Sequence, residues 1–334
     1  MLKRDPMSII RWQPFPADPL ICSGLPWLDE FLPHLWRLPV DSSSLPAAVR
    51  AQARFPAGAR LRVRSDTTEL RFKVRHTAEV VPTGFDVYVD GQFWRTANVS
   101  VDTEVDVVCF TGANRTPKEI SIYLPLRHEL QIVEWGIDRE AKCERPASFE
   151  VEKPLVLYGS SIAQGIGAAR PGMSYSAILG RAMNIDPINL GLGGAGRAEE
   201  EVVARVLQIE ACCFVLDLGR SYGTQLVDPY LTMLTAIREA HPETPIVCVT
   251  PTFSSRELHQ PEYLKLSNHT RSVVRDSVEM RVSLGDENLT LVEGDTFLSA
   301  QDTDGLSADG LHPNDFGYSL IAQCLQPVIE NVLS

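Results

Sequence analysis

The spacing of apolar residues changes period near residue 150. Before that point it is two. LRFKVRH (70–76) alternates apolar and charged residues without a break, as a half-buried strand does. FDVYVDGQFW (85–94) alternates about Asp90-Gly91, a pair suited to the positive φ angles of a tight hairpin. EVDVVCF (104–110), EISIYLPL (119–126) and LQIVEWGI (130–137) continue the series at short intervals. This pattern predicts an all-β, jelly-roll-like sandwich over residues 1–150, with the Pro- and Trp-rich opening to about residue 50 as an extended strap. After residue 150 the strands become solidly apolar: PLVLYG (154–159), CCFVLDLG (212–219) and TPIVCVTP (244–251), with INLGLGG (188–194) and LTLVEGD (289–295) as weaker members. Helical patterns at 174–183, 199–208 and 228–241 lie between them. Apolar strands alternating with helices predict a parallel sheet covered on both faces, a three-layer α/β/α domain over residues 151–334. The stretch 144–153, with Pro146 and several charges, reads as the linker.

Composition alters this picture little. A chain of 334 residues, 44% hydrophobic and 22% charged, is an ordinary globular protein of about two domains. A net charge of −12 disfavours binding to phosphate backbones or anionic bilayers, so neither a nucleic acid nor a membrane is expected as partner. The basic N-terminus lacks the apolar core of a secretory signal, and no stretch approaches the roughly 20 apolar residues of a membrane helix. The seven cysteines are scattered, without CxxC spacing, and most lie in apolar runs. Buried free thiols in a reducing cytoplasm are therefore expected. The histidines are too dispersed for a metal site, and no metal or cofactor is expected.

In a parallel α/β sheet, chemistry gathers beyond the carboxyl ends of the strands. Four unusual segments fall there: Gly159-Ser160-Ser161, NLGLGGAGR (189–197), LDLGRSYGT (216–224) and SADGLHPNDFGYS (307–319). Each alone has a plain reading. Serine is a favoured helix N-cap, a glycine run makes a flexible turn, and Asp-Gly and His-Pro are turn dipeptides. GLGGAG and GIGAAR both break the G-x-G-x-x-G spacing of a dinucleotide site. Taken together and in this order, the segments carry more. Gly159-Ser160-Ser161-Ile162-Ala163-Gln164-Gly165 and Asp309-Gly310-Leu311-His312-Pro313-Asn314 resemble the first block, Gly-Asp-Ser-(Leu/Ile)-x-x-Gly, and the last block, Asp-x-x-His-Pro, of the SGNH (GDSL-type) hydrolase superfamily. The resemblance is to members with an N-terminal β-sandwich and covers roughly residues 150–330. It implies a flavodoxin-like SGNH sheet.

It also implies roles. Ser161 is the nucleophile, His312 the base and then the acid, and Asp309 the group that orients the imidazole, since a serine hydroxyl needs a base and the base needs a fixed tautomer. The oxyanion that forms requires fixed donors. Ser161 N–H and Gly194 N–H fill two of the family's positions. The third block departs from the pattern: where the family places Asn, Ser221 falls at or beside the position, with Arg220 next to it. Either Ser221 substitutes, or Arg220 or Arg197 does, or turnover falls by about a hundredfold or more. Arg220 and Arg197 are also the candidate substrate-binding residues. Ser160 stands where relatives carry Asp and is expected to cap the helix or hold the turn. Asp304, in an echo of the Asp309 motif, is a rival orienter but reads as a loop residue. His241 and His259 are expected to be solvated, and Asp217 to accept hydrogen bonds at a strand end. Trp12, Trp27, Trp36 and Trp94 have the chemistry to stack on sugars, but packing is the expected use.

The function implied is a serine-dependent acyl-ester hydrolase working through an acyl-Ser161 intermediate. Its substrate would be a small-molecule or carbohydrate acyl ester, such as an O-acetylated sugar. An acyltransferase using the same three residues is the first alternative. A binding protein that kept the fold and lost turnover is the second.

Overall fold

The structure, a computed structural model, describes residues 10–40, 43–76, 84–100, 104–221 and 229–334. Residues 222–224 of the third block, residue 228 of the expected helix and the basic first residues lie outside these. The N-terminal half holds two antiparallel sheets. One runs Ile10–Pro14, Leu130–Asp138, Leu70–His76, Glu104–Phe110. The other runs Cys143–Glu144, Arg60–Ser65, Lys118–Tyr123, Phe85–Val89, Gln92–Ala97, and Ile21–Ser23 also pairs with Arg60–Ser65. The period-two pattern explains the packing. Leu70, Phe72 and Val74 are fully buried against Phe85, Val87, Ile120 and Trp135. Between them, Arg71, Lys73 and Arg75 pair across the strands with Asp106, Glu134 and Glu104. Asp90 (φ 48°) and Gly91 (φ 77°) form the expected two-residue turn.

Two parts of this half depart from the expectation. Arg60–Ser65 (RLRVRS) is a central strand although its alternate residues are arginines. Arg60 donates to Ile185 O at 2.6 Å and Arg62 stacks over the Phe149 ring at 3.9 Å, so these two are covered by the α/β domain and the linker, while exposed Arg64 pairs with Glu119 on the neighbouring strand. The opening segment is also more than a strap. It supplies two strands and the helices Leu28–Phe31 and Ala47–Ala53, and its Leu38, Val40, Leu45 and Val49 are buried in the core of the α/β domain. The tryptophans pack: Trp12 lies under Lys73, Trp27 packs on the α/β core, Trp36 donates to Glu129 and Trp94 stacks on Phe110.

The C-terminal half is a five-stranded parallel sheet in the order Pro187–Gly191, Leu155–Gly159, Cys213–Asp217, Ile246–Val249, Leu289–Val292. Alternate residues feed two cores. Leu155, Leu157 and Val215 pack with helices Tyr175–Ala182 and Asp315–Leu333 on one face. Val156, Tyr158 and Phe214 pack with Glu200–Val206, Pro229–Ala240 and Pro261–Ser283 on the other. Two layers of helices on a parallel sheet make the predicted three-layer arrangement. His241, expected in solvent, is instead buried: its ring packs on Phe214 and its Nε2 lies 3.0 Å from Leu207 O. The seven cysteines are free thiols, three of them buried. Among the described residues, no helix is long and apolar enough to cross a membrane.

The halves meet through buried polar contacts. Asp86, fully buried on Phe85–Val89, accepts from Arg170 Nη1 (2.8 Å), Gly172 N–H (2.8 Å) and Thr96 Oγ1 (2.7 Å). Arg170 also lies over the Phe93 ring, 3.7 Å from its centre.

Candidate active site

The first parallel strand ends at Gly159, where nothing larger than glycine fits: a Cβ there would lie 2.0 Å from Asp217 O on the neighbouring strand. Ser160 N–H donates to that same carbonyl (3.0 Å), and the chain turns into the short helix Ser161–Gln164. Ser160 occupies the N-cap position, yet its side chain makes no capping hydrogen bond. It is buried with its hydroxyl against Gly219, so it holds the turn rather than caps the helix. Tyr318 OH donates to Ile162 O (3.2 Å) and Ile166 O (2.7 Å), tying the helix to the last helix of the chain.

Ser161, the first residue of its helix, meets His312 across the cleft, Oγ to Nε2, at 2.9 Å. The other ring nitrogen, Nδ1, lies 2.6 Å from Asp309 Oδ2. Asp309 Oδ1 accepts from the N–H groups of Leu311 (2.9 Å) and His312 (3.0 Å) and from Ser307 Oγ (3.0 Å). Partial burial works to raise the Asp309 pKa. The hydrogen bonds from His312 and Leu311, with the nearby imidazole, outweigh it and hold the carboxylate well below its usual range. Asp304 is exposed and makes no contact of this kind; its carbonyl receives Asn314 Nδ2 instead.

The loop that carries the pair is fixed at Gly310, which has φ +66°. Gly310 O accepts from Ser254 Oγ (2.7 Å), Ser255 N–H (3.0 Å) and Ser255 Oγ (3.1 Å), and a Cβ on Gly310 would lie 2.2 Å from Ser255 Oγ. A chain of hydroxyl, imidazole and carboxylate in this order is the arrangement general-base activation of a serine requires.

The second block is built around two buried amides. Asn189 donates to Ala163 O (2.8 Å) and Ser176 Oγ (2.9 Å) and accepts from Gly191 N–H (2.8 Å). Gln164 accepts from Gly193 N–H (2.7 Å) and donates to Leu126 O (3.0 Å). Gly193 N–H is thus occupied. Gly194 is exposed at the tip of the loop, with open space where a side chain would begin. Arg197 is exposed, and its backbone N–H donates to Glu199 (2.8 Å).

The third block places Arg220 inward. Its guanidinium donates to Ser267 Oγ at 2.6 Å, to Thr252 O and to Glu257, whose other partner is Arg271. Burial works to raise the Glu257 pKa, but Arg271 and Arg220 hold it below its ordinary value. Ser221 is half-buried at the bend that follows. Asp217 accepts from Tyr175 OH at 3.1 Å, while its other oxygen, Oδ1, is buried without a hydrogen-bond partner among the described residues. Burial raises its pKa to about 6, against the pull of Tyr175 and Arg220.

The structure therefore brings Ser161, His312 and Asp309 into one hydrogen-bonded chain and commits the Arg220 side chain to internal partners. The supporting residues Asn189, Gln164 and Tyr318 were not marked out by the sequence. All three sit inside the segments singled out there, 189–197, 159–165 and 307–319, which was the available signal.

The family described as GDSL-like Lipase/Acylhydrolase matches residues 152–330, and that described as the N-terminus of Esterase_SGNH_hydro-type matches residues 20–143. No curated protein matches the chain. Among solved structures, a candidate GDSL-like lipase from Bacteroides ovatus is 26% identical with a TM-score of 0.82, covering 97% of this chain and 98% of its own. A salicylyl-acyltransferase from a tetracycline biosynthetic pathway is 23% identical with a TM-score of 0.83, covering 97% of both chains. A family two carbohydrate esterase from Clostridium thermocellum, in complex with cellohexaose, is 18% identical with a TM-score of 0.66, covering 83% of this chain and 93% of its own.

Proposed function

Because this chain belongs to the GDSL-like lipase/acylhydrolase family, we propose that it is a serine-dependent acyl-ester hydrolase in which Ser161 is the nucleophile. The observation that carries this reading is the 2.9 Å contact between Ser161 Oγ and His312 Nε2, with Asp309 on the opposite ring nitrogen. His312 takes the hydroxyl proton as Ser161 attacks the ester carbonyl, then returns it to the leaving alcohol. Water activated by the same imidazole resolves the acyl-Ser161 ester. Asp309, kept ionised by its donors, holds the Nδ1–H tautomer and stabilises the imidazolium. Ser161 N–H and Gly194 N–H are the donors to the oxyanion, with Ser221 the side chain at the position of the family Asn. Arg220 acts from within as a brace for the third block, and exposed Arg197 is the candidate for substrate contact. A carbohydrate O-acyl ester is the substrate class, supported by the likeness to a carbohydrate esterase solved with cellohexaose. The likeness to an acyltransferase over the full length supports a second reading, in which an alcohol other than water resolves the intermediate.

A fluorophosphonate probe tests the core of the proposal. The expected result is a single adduct on Ser161 that His312→Ala suppresses by about a hundredfold or more in rate. No adduct on Ser161, or one indifferent to His312→Ala, overturns it. Release of free acid against transfer to added alcohols separates hydrolase from transferase.

A further inference from the structure

The end of the second parallel strand, Pro187–Gly191, and Gly193 just beyond it are held from two directions by side chains outside that block. On one side is Arg37, from the opening segment, fully buried. Its Nη1 donates to Asn189 O (2.8 Å) and Gly191 O (2.6 Å), its Nη2 to Gln52 O (2.8 Å) and its Nε to Phe55 O (2.7 Å). Every one of these acceptors is a neutral carbonyl, and among the described residues no carboxylate forms an ion pair with it. Burial lowers its pKa to about 9, which still leaves it charged at neutral pH. On the other side is Gln164, also fully buried, one amide bridging Gly193 N–H to Leu126 O. Leu126 belongs to the stretch joining sandwich strands Lys118–Tyr123 and Leu130–Asp138.

Burying a cation without a counter-ion is costly, and an apolar side chain of similar length would fill the space at less expense. The guanidinium provides what an apolar residue does not: a rigid fork that fixes several carbonyls at once. The held carbonyls and N–H lead directly into Gly193-Gly194, a pair with no stiffness of its own. A loop offering a backbone N–H to a developing charge must be stiff, because a donor misplaced by a fraction of an ångström loses most of its effect.

We propose that Arg37 and Gln164 are positioning residues that fix the loop bearing Gly194, which makes the N-terminal region a working part of the active site. The proposal rests on the reading of Ser161 as nucleophile and Gly194 N–H as oxyanion donor.

Gln164→Met keeps length and removes both hydrogen bonds. Arg37→Lys keeps charge but gathers its donors on one atom, which cannot serve all four carbonyls. Active serines are titrated to completion with a fluorophosphonate, and p-nitrophenyl acetate hydrolysis is expressed per titrated serine. Both variants are expected to lose about tenfold or more in kcat with KM changed by less than about threefold. A purely structural role would lower the titrated fraction or the Tm and leave kcat per titrated serine within about twofold of wild type. That outcome overturns the proposal. If Arg37→Lys does not fold, Gln164→Met decides, and Gln164→Glu, which keeps an acceptor for Gly193 N–H, stands behind it. Wild type that takes no label overturns the reading of Ser161; labelled wild type beside unaffected variants overturns only the positioning roles.

Discussion

Adjacent serines of the same chemistry have different surroundings. Ser161 faces His312, whereas Ser160 is buried against Gly219 and the end of the third strand. Ser161→Ala is expected to abolish phosphonate labelling, and Ser160→Ala to slow ester hydrolysis by about tenfold or less; the opposite ranking, measured with the same probe, would shift the nucleophile by one residue. Asp309→Asn should lower kcat by about 10²–10⁴ while the Tm stays near wild type, because it removes a charge opposite the imidazolium at a half-exposed position. Asp217 makes a separate prediction. Its folded pKa, raised to about 6 by burial, exceeds the ordinary value of 3.8. The proton is therefore held more tightly in the folded state. The stabilisation is complete below pH 3.8 and is lost as pH rises through about 6. At pH 8 the buried carboxylate costs on the order of 3 kcal/mol, so Asp217→Asn should melt at a higher temperature than wild type at pH 8 and show no such advantage at pH 4. The sequence carried Ser161, His312 and Asp309 as letters in a recognisable order. It did not carry Arg37 or Gln164, whose partners are backbone atoms up to 154 positions away.

At the level of elements, the two end blocks depend on loops that fit tightly. Gly310→Ala would press a Cβ into Ser255 Oγ and impose a left-handed φ on alanine. About a tenfold loss of kcat is expected, with a smaller loss of stability, read from ester hydrolysis and thermal melting. Strands with clean alternation or a solid apolar run were legible in the sequence, as Leu70–His76 and Leu155–Gly159 show. Arg60–Ser65 was not, because its arginines find carbonyl and aromatic partners that only tertiary structure supplies. The helix Pro261–Ser283 was missed for a related reason. Much of its buried stripe is Ser267, Thr270, Arg271 and Ser277 rather than apolar residues.

Across the whole molecule, the opening segment and the sandwich are joined to the α/β domain by buried side chains rather than by a flexible tether. Asp86 and Arg170 are the most exacting of these contacts, since either charge is left uncompensated when the other is removed. Asp86→Ala should destabilise the protein by about 3 kcal/mol, seen as a lower urea midpoint, and should loosen the segment that follows the Ser161 helix. An unfolding free energy within about 0.5 kcal/mol of wild type would mean that the Asp86–Arg170 pair contributes little to holding the halves together. The junction also bears on how the chain avoids aggregating. Gln92–Ala97 is the outer strand of its sheet, with Phe93 and Trp94 both about two-fifths exposed, and such an edge invites pairing with a strand of another molecule. Arg170, which lies over Phe93, is held by Asp86 together with Tyr88 OH and Met173 Sδ, so the ion pair that joins the halves also helps keep a cation at a sticky edge. Loss of Asp86 should then appear first as light scattering during refolding, at concentrations where the wild-type chain stays clear.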